Sequence, residues 1–123
     1  MLHVDDETDI REVAAIALEL DMDIRLTSVD SGQAALDALC DGLRPDVILL
    51  DVMMPRMDGP SVLKQLRRLP GLEATPVIFM TARVRSSEQD VFRATGAIGV
   101  ITKPFDPMTL ARQVRDLLSG MDA

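Results

Sequence analysis

Val47-Ile48-Leu49-Leu50-Asp51-Val52-Met53-Met54-Pro55-Arg56-Met57-Asp58-Gly59-Pro60 is the stretch that decides how this chain folds. Four apolar residues end abruptly in a carboxylate, and a proline-bearing turn follows. An apolar run without polar alternation suits a strand covered on both faces, as in a parallel sheet flanked by helices. Asp58-Gly59-Pro60 then reads as a helix start, with an acid at the cap and proline in the first turn. Short apolar runs recur at residues 1–4, 24–29, 77–80 and 98–101. Between them lie stripes with helical spacing: Ile10, Val13, Ala14, Ala17 and Leu20; Leu36, Leu39, Cys40 and Leu43; Val62, Leu66 and Leu69; Leu110, Val114, Leu117 and Leu118. Val91 with Ala94 makes a shorter stripe. Ser86 with Gln89 fits a capping box, Asp106-Pro107 a helix start, and Gly120 a terminator. Cys40 on its stripe reads as a small core residue, and His3 as a strand histidine packed between sheet and helix. Strand–helix alternation with short connections implies βαβ units with right-handed crossovers. The expected fold is therefore α/β: a doubly wound, five-stranded parallel sheet with helices on both faces. Residues 24–27 alternate in polarity, which places the second strand at one edge.

Composition narrows the function classes. The chain has 123 residues, 13 Lys+Arg against 20 Asp+Glu, and a net charge of −7. That length suits one domain over residues 1–123, able to bury roughly 65% of its unfolded surface. At 47% apolar residues it is too rich for disorder. The longest unbroken apolar run, Val13 to Leu18, is too short for a bilayer span, so no membrane association is expected. No charged segment followed by an apolar block opens the chain, so no signal peptide is expected. One cysteine cannot make an internal disulfide, which fits a reducing, cytoplasmic setting. The acid excess argues against a duplex-binding surface, so no nucleic-acid partner is expected. The first apolar run lies so near Met1 that a short first strand and a frayed or truncated amino terminus are expected. Trp and Tyr are absent, leaving Phe79, Phe92 and Phe105 as the aromatics.

The chemistry stands just past the carboxyl ends of the apolar runs. Asp5 and Asp6 follow the first, Asp51 the third, Thr81 the fourth, and Thr102 with Lys103 the fifth. In an open parallel sheet those ends meet at one edge, where the strand order reverses and a crevice opens. Three carboxylates about 5 Å apart repel by roughly 3 kcal/mol per pair at an effective dielectric near 20. Such a group needs protons or a cation, and Mg2+ suits few carboxylates, retained waters and a phosphate ligand. Thr81 and Lys103 are suited to holding phosphoryl oxygens. Phosphoryl transfer needs mainly positioning and charge neutralisation, and a carboxylate can serve as nucleophile and become an aspartyl phosphate. Arg occurs eleven times and Lys only at Lys64 and Lys103, so a lysine beside the crevice hints at a compact point charge.

With these pieces in place the chain resembles the receiver domain of two-component response regulators, particularly single-domain chemotaxis-type receivers. The matching segments are Val4-Asp5-Asp6-Glu7, Asp51 through Gly59, Pro76 through Ala82, and Lys103-Pro104-Phe105, in order and each at a strand end. The resemblance implies a flavodoxin-like sheet of order 2-1-3-4-5 and a role for each residue. Asp51 would accept a phosphoryl group from a phosphohistidine, and Asp5, Asp6, Asp51 and the backbone carbonyl of Met53 would hold Mg2+. Thr81 would be the switch hydroxyl, and Lys103 would pair with Asp51 or its phosphate. It implies a cis Lys103–Pro104 bond, against about 5–6% of X–Pro bonds generally. The implied partners are a sensor histidine kinase or histidine phosphotransfer protein, docking near residues 10–17, and an unidentified downstream protein. The downstream partner would bind the face made by the helix after the fourth strand, the fifth strand and the last helix. A monomer or a phosphorylation-dependent dimer, stand-alone or part of a longer protein, fits this pattern, and the protein would not be an enzyme beyond self-directed phosphotransfer and slow dephosphorylation. Met53 and Arg83 stand at positions that tune phosphate lifetime in such proteins.

One departure stands out. Val100 occupies the place where this family usually carries an aromatic that swings inward, so the relay would use backbone shifts from Thr81 to Gln89 and in the fifth strand, or another side chain. Two competing readings are a receiver-fold interaction module that works without phosphate, and a metal-dependent phosphatase using Asp51 as nucleophile. The first leaves the full set of Asp5, Asp6, Asp51, Thr81 and Lys103 without a purpose. The second lacks a general acid two residues after Asp51, where Met53 stands.

Overall fold

A computed structural model describes residues 1–82 and 91–121. The elements are β1 (Leu2–Val4), α1 (Thr8–Glu19), β2 (Thr27–Val29), α2 (Gly32–Cys40), β3 (Ile48–Asp51), α3 (Gly59–Leu66), β4 (Val77–Thr81), β5 (Gly99–Thr102) and α4 (Leu110–Met121); residues 91–94 are also helical. All strand pairs are parallel, in the order β2-β1-β3-β4-β5, in keeping with the alternation of runs and stripes. β3 and β4 sit inside the sheet, and every residue in them is buried. Because side chains alternate across a strand, each feeds two cores. Leu2, Val4, Ile48, Leu50, Val77 and Phe79 face α2 and α3. Leu49, Ile78, Met80 and Ile101 face α1 and α4.

The edge strand is shorter than its sequence run. β1 begins pairing at Leu2, opposite Thr27, so residues 24–26 have no ladder to join; Ile24 and Leu26 instead lean on the α1/α4 core. Five helical readings need correction. α1 turns Ala14, Ala17 and Leu18 inward, and Val13 and Leu20 of the expected stripe are exposed, because two alanines let the helix approach the sheet on their side. Cys40 is exposed rather than core: α2 buries Gly32, Ala35, Leu36 and Leu39, and Cys40 is its last residue, turned off that face. Val91 and Ala94 are exposed, while Phe92 between them is half-buried. Gly120 does not end the last helix, which runs to Met121. Asp106-Pro107 opens a turn ahead of α4, where the Asp106 carboxylate accepts the Met108 N–H at 2.9 Å, and the helix proper starts at Leu110. The capping box expected at Ser86 and Gln89 lies outside the described residues, as does Arg83.

The start of α3 holds the expected form and fixes the loop after β3. Asp58 is the N-cap, accepting from the Ser61 N–H at 2.9 Å, with Pro60 in the first turn. Gly59 donates its N–H to the Val52 carbonyl at 3.0 Å. A Cβ at Gly59 would lie 2.6 Å from the Asp51 carbonyl oxygen and 3.0 Å from Val52 Cα, backbone atoms that cannot swing aside. Gly59→Ala should therefore destabilise the fold by about 2 kcal/mol, the scale of an overpacked core position, read as a lowered midpoint in urea unfolding.

Candidate functional site

The carboxyl edge of the sheet is where the named residues meet. β1 leads into Asp5, β3 ends at Asp51, β4 ends at Thr81, and β5 leads into Lys103. Backbone pairing continues past the strand ends and fixes these positions: Asp5 N–H donates to Val29 O at 3.2 Å, Val52 N–H to Met80 O at 3.0 Å, and Lys103 N–H to Thr81 O at 2.8 Å. Asp5, Asp51 and Thr81 are buried, while Asp6 is exposed. Asp5, Asp6 and Asp51 each place a carboxylate oxygen within 4.8 Å of the others. Lys103 Nζ lies 2.6 Å from Asp5 Oδ2 and 3.1 Å from Asp51 Oδ1. Thr81 stands one residue beyond Met80, the register partner of Asp51. The backbone N–H of Met53 donates to the Asp51 carboxylate, and its side chain is exposed. The Lys103–Pro104 bond is cis.

The electrostatics follow from gathering three acids around one lysine. Burial, then the neighbouring Asp5 charge, push the Asp51 carboxyl up from 3.8 to about 6, against the pull of Lys103 and the Met53 N–H. Burial presses on Lys103 too, but its hydrogen bond to Asp5 and the charges of Asp5 and Asp51 outweigh that and hold it above its ordinary value. Among the described residues one lysine thus bridges two of the three carboxylates, and the cluster keeps a net negative charge. The donor set consists of hard carboxylate oxygens, which fits a hard divalent cation retaining several waters.

Three features near the site have no counterpart in the sequence expectations. Arg11, one turn into α1, donates from Nη1 to the Asp5 carbonyl at 2.7 Å and from Nη2 to Thr8 Oγ1 at 3.1 Å. In the loop after β3, Met57 N–H donates to Pro55 O at 2.8 Å, a tight turn that puts Arg56 at φ 70°, a left-handed conformation uncommon outside glycine. Phe92 packs edge-on against Phe79, ring centroids 5.3 Å apart, on the side of the sheet where Val100 also packs. No local pattern announces the Phe79–Phe92 contact, because it depends on segments brought together by the fold. His3, expected between sheet and helix, is wholly buried. Desolvation drives its pKa from 6.5 to about 4, with Asp5 opposing and Lys103 and Arg11 assisting, so the ring is neutral.

A doubly wound α/β sheet with acids, a hydroxyl and a lysine gathered at its carboxyl edge defines a class of proteins that bind ligands at the strand-order reversal. Comparison with known proteins narrows the class. The family model described as Response regulator receiver domain matches residues 1–115. Response regulator Rre1 of Synechocystis is 35% identical over 123 residues, covering 100% of this chain and 53% of that protein. Transcriptional regulatory protein CseB of Streptomyces avermitilis is 38% identical over 118 residues, covering 96% of this chain and 48% of that one. Chemotaxis response regulator CheY4 of Vibrio cholerae superposes with a TM-score of 0.85 at 32% identity, covering 94% of this chain and 95% of that one. The chain belongs to the response regulator receiver family and is a receiver domain of two-component signalling. It spans about half the length of the curated relatives it matches. Among the described residues no helix is long and apolar enough to cross a membrane.

Proposed function

We propose that residues 1–123 form one phospho-acceptor unit in which Asp51 takes a phosphoryl group from a phosphohistidine of a sensor histidine kinase or histidine phosphotransfer protein. The observation that carries this reading is Lys103 bridging Asp5 and Asp51 inside a cluster of three carboxylates. An Asp51 carboxylate oxygen attacks phosphorus, a P–O bond forms, the P–N bond to the donor imidazole breaks, and the departing ring takes a proton from solvent. Asp5, Asp6, Asp51 and the Met53 carbonyl are the residues that would hold Mg2+, which supplies charge neutralisation for the phosphoryl oxygens. Lys103 is placed to follow the negative charge from the carboxylate to the phosphoryl group, and Thr81, at the end of β4, to donate its hydroxyl to a phosphoryl oxygen. Water later attacks the same phosphorus and restores the carboxylate slowly, so the protein turns over no external substrate.

Docking and output follow from what surrounds the crevice. α1 begins soon after Asp6 and leaves Val13 and Ile16 exposed, an apolar strip beside the site for the phosphodonor. Output would leave through β5, α4 and the segment between β4 and β5, part of which lies outside the described residues. Val100 carries no ring to swing, and the Phe79–Phe92 contact offers an aromatic link from β4 to the following helical segment in its place. Incubation with acetyl phosphate tests the core of this reading. Labelling should require Mg2+ and disappear with a chelator; labelling that ignores the cation would count against the assigned ligand set.

A further inference from the structure

The reaction described above leaves His3 unused, yet its placement is exceptional for a strand residue. It lies on β1 two residues before Asp5, and residues two apart on a strand share a face. Its neighbours in register are Ser28 on β2 and Leu49 on β3. The side chain is completely buried, and neither Nδ1 nor Nε2 has a hydrogen-bond partner among the described residues. An imidazole in that state is costlier than the apolar side chains on either side of it, Leu2 and Val4, because its polar atoms lose water and gain nothing. Nε2 lies toward the site: it is 4.0 Å from Asp5 Oδ2, about 1 Å beyond hydrogen-bond length.

Asp5 has a corresponding weakness. Its Oδ1 accepts the Glu7 N–H at 3.0 Å, while Oδ2 accepts from Lys103 at 2.6 Å, a lysine shared with Asp51. We propose that His3 is a positioning residue for Asp5, its ring donating from Nε2–H to Asp5 Oδ2 when Lys103 turns to a phosphoryl group on Asp51. This rests on the reading of Asp51 as the acceptor. A ring N–H aimed at Oδ2 would fix the carboxylate's orientation once the lysine has turned away. Partners behind a cation's ligands generally act this way, and losing one costs about 10–100-fold in affinity.

His3 is the chain's single histidine, so 15N-imidazole NMR reads it without ambiguity. Spectra of the full chain are compared in chelator, with Mg2+, and with Mg2+ plus beryllofluoride as the phosphoryl mimic; the Thr81 amide reports separately whether the mimic binds. The expected result is an Nε2–H signal that moves downfield and exchanges slowly once the mimic is bound. A displaced Thr81 amide with an unchanged His3 signal overturns the proposal and leaves the acceptor reading intact. No response at Thr81 overturns both. Two variants separate positioning from packing. His3→Leu should unfold at the same or higher temperature yet bind Mg2+ with beryllofluoride about 10-fold more weakly, and His3→Gln, which keeps an N–H donor, should recover much of that affinity. His3→Leu binding as tightly as the parent protein would contradict the assignment.

Discussion

Replacing Asp51 by asparagine should abolish phosphoryl uptake and, in the same protein, make the metal-free fold more stable. The loss follows from removing the carboxylate proposed as nucleophile while keeping its shape. The gain follows from its surroundings: burial and Asp5 raise the Asp51 carboxyl from 3.8 to about 6, so at pH 7 the folded state holds an anion that it disfavours. A displacement of that size is worth at most about 3 kcal/mol, and an increase of about 1–3 kcal/mol in chelator is expected. Between pH 6 and 4 the native Asp51 binds more protons than the unfolded one, so the penalty fades as pH falls through 6 and is gone near 4. The advantage of Asp51→Asn over the parent should vanish over the same interval. His3 acts in the opposite sense. Its lowered pKa, about 4 against 6.5, means the unfolded state binds more protons there, and stability falls as pH drops from 6.5 to 4. The parent protein should thus show little net slope, Asp51→Asn should lose stability with acid, and His3→Leu should gain it. Urea titrations at several pH values in chelator check all three.

Lys103→Met keeps most of the aliphatic stem and removes the cation that, among the described residues, contacts both Asp5 and Asp51. Two buried carboxylates then face each other without compensation. Breaking a buried pair by deleting one partner costs roughly 3–5 kcal/mol, and uptake of a proton by the acids caps the loss near the lower figure, so about 3 kcal/mol is expected in chelator. Mg2+ should restore most of that stability, because a divalent charge in the carboxylate cluster replaces the missing one. Labelling by acetyl phosphate should nevertheless stay depressed by about 100-fold, the scale of losing one donor to a developing charge. The two readouts together separate a charge-balancing lysine from one that also meets the phosphoryl group. If Mg2+ restored stability and labelling alike, Lys103 would be serving only the resting fold.

Much of this architecture is legible in the sequence because its signals are local. The unbroken apolar runs at residues 47–50 and 77–80 match β3 and β4 to within a residue at each end, since strands buried on both faces leave no polar alternation to misread. The convergence of Asp5, Asp51, Thr81 and Lys103 is equally readable, because a parallel sheet sends every carboxyl end to one edge. The mismatches have causes in the same terms. Helical spacing runs the α1 stripe through Val13 and Leu20, although burial goes to Ala14, Ala17 and Leu18; hydrophobicity ranks valine and leucine above alanine, but close helix–sheet contact selects the small side chain. Cys40 matches a stripe by spacing, and its position on the last turn of α2 leaves it outside the core. The near approach of His3 to Asp5 is implicit in their spacing of two on one strand. Its unpartnered nitrogens emerge only once the assembled fold seals them from water.

The claim that Asp51 is the acceptor is tested most directly by locating the phosphoryl group. The protein is labelled by a phosphohistidine donor with Mg2+, treated with borohydride to reduce an acyl phosphate to the alcohol, and digested for peptide mass spectrometry. The expected product is homoserine at position 51 alone, with none in the Asp51→Asn variant. Reduction at Asp5 or Asp6 instead, or undiminished labelling of Asp51→Asn, would contradict the assignment.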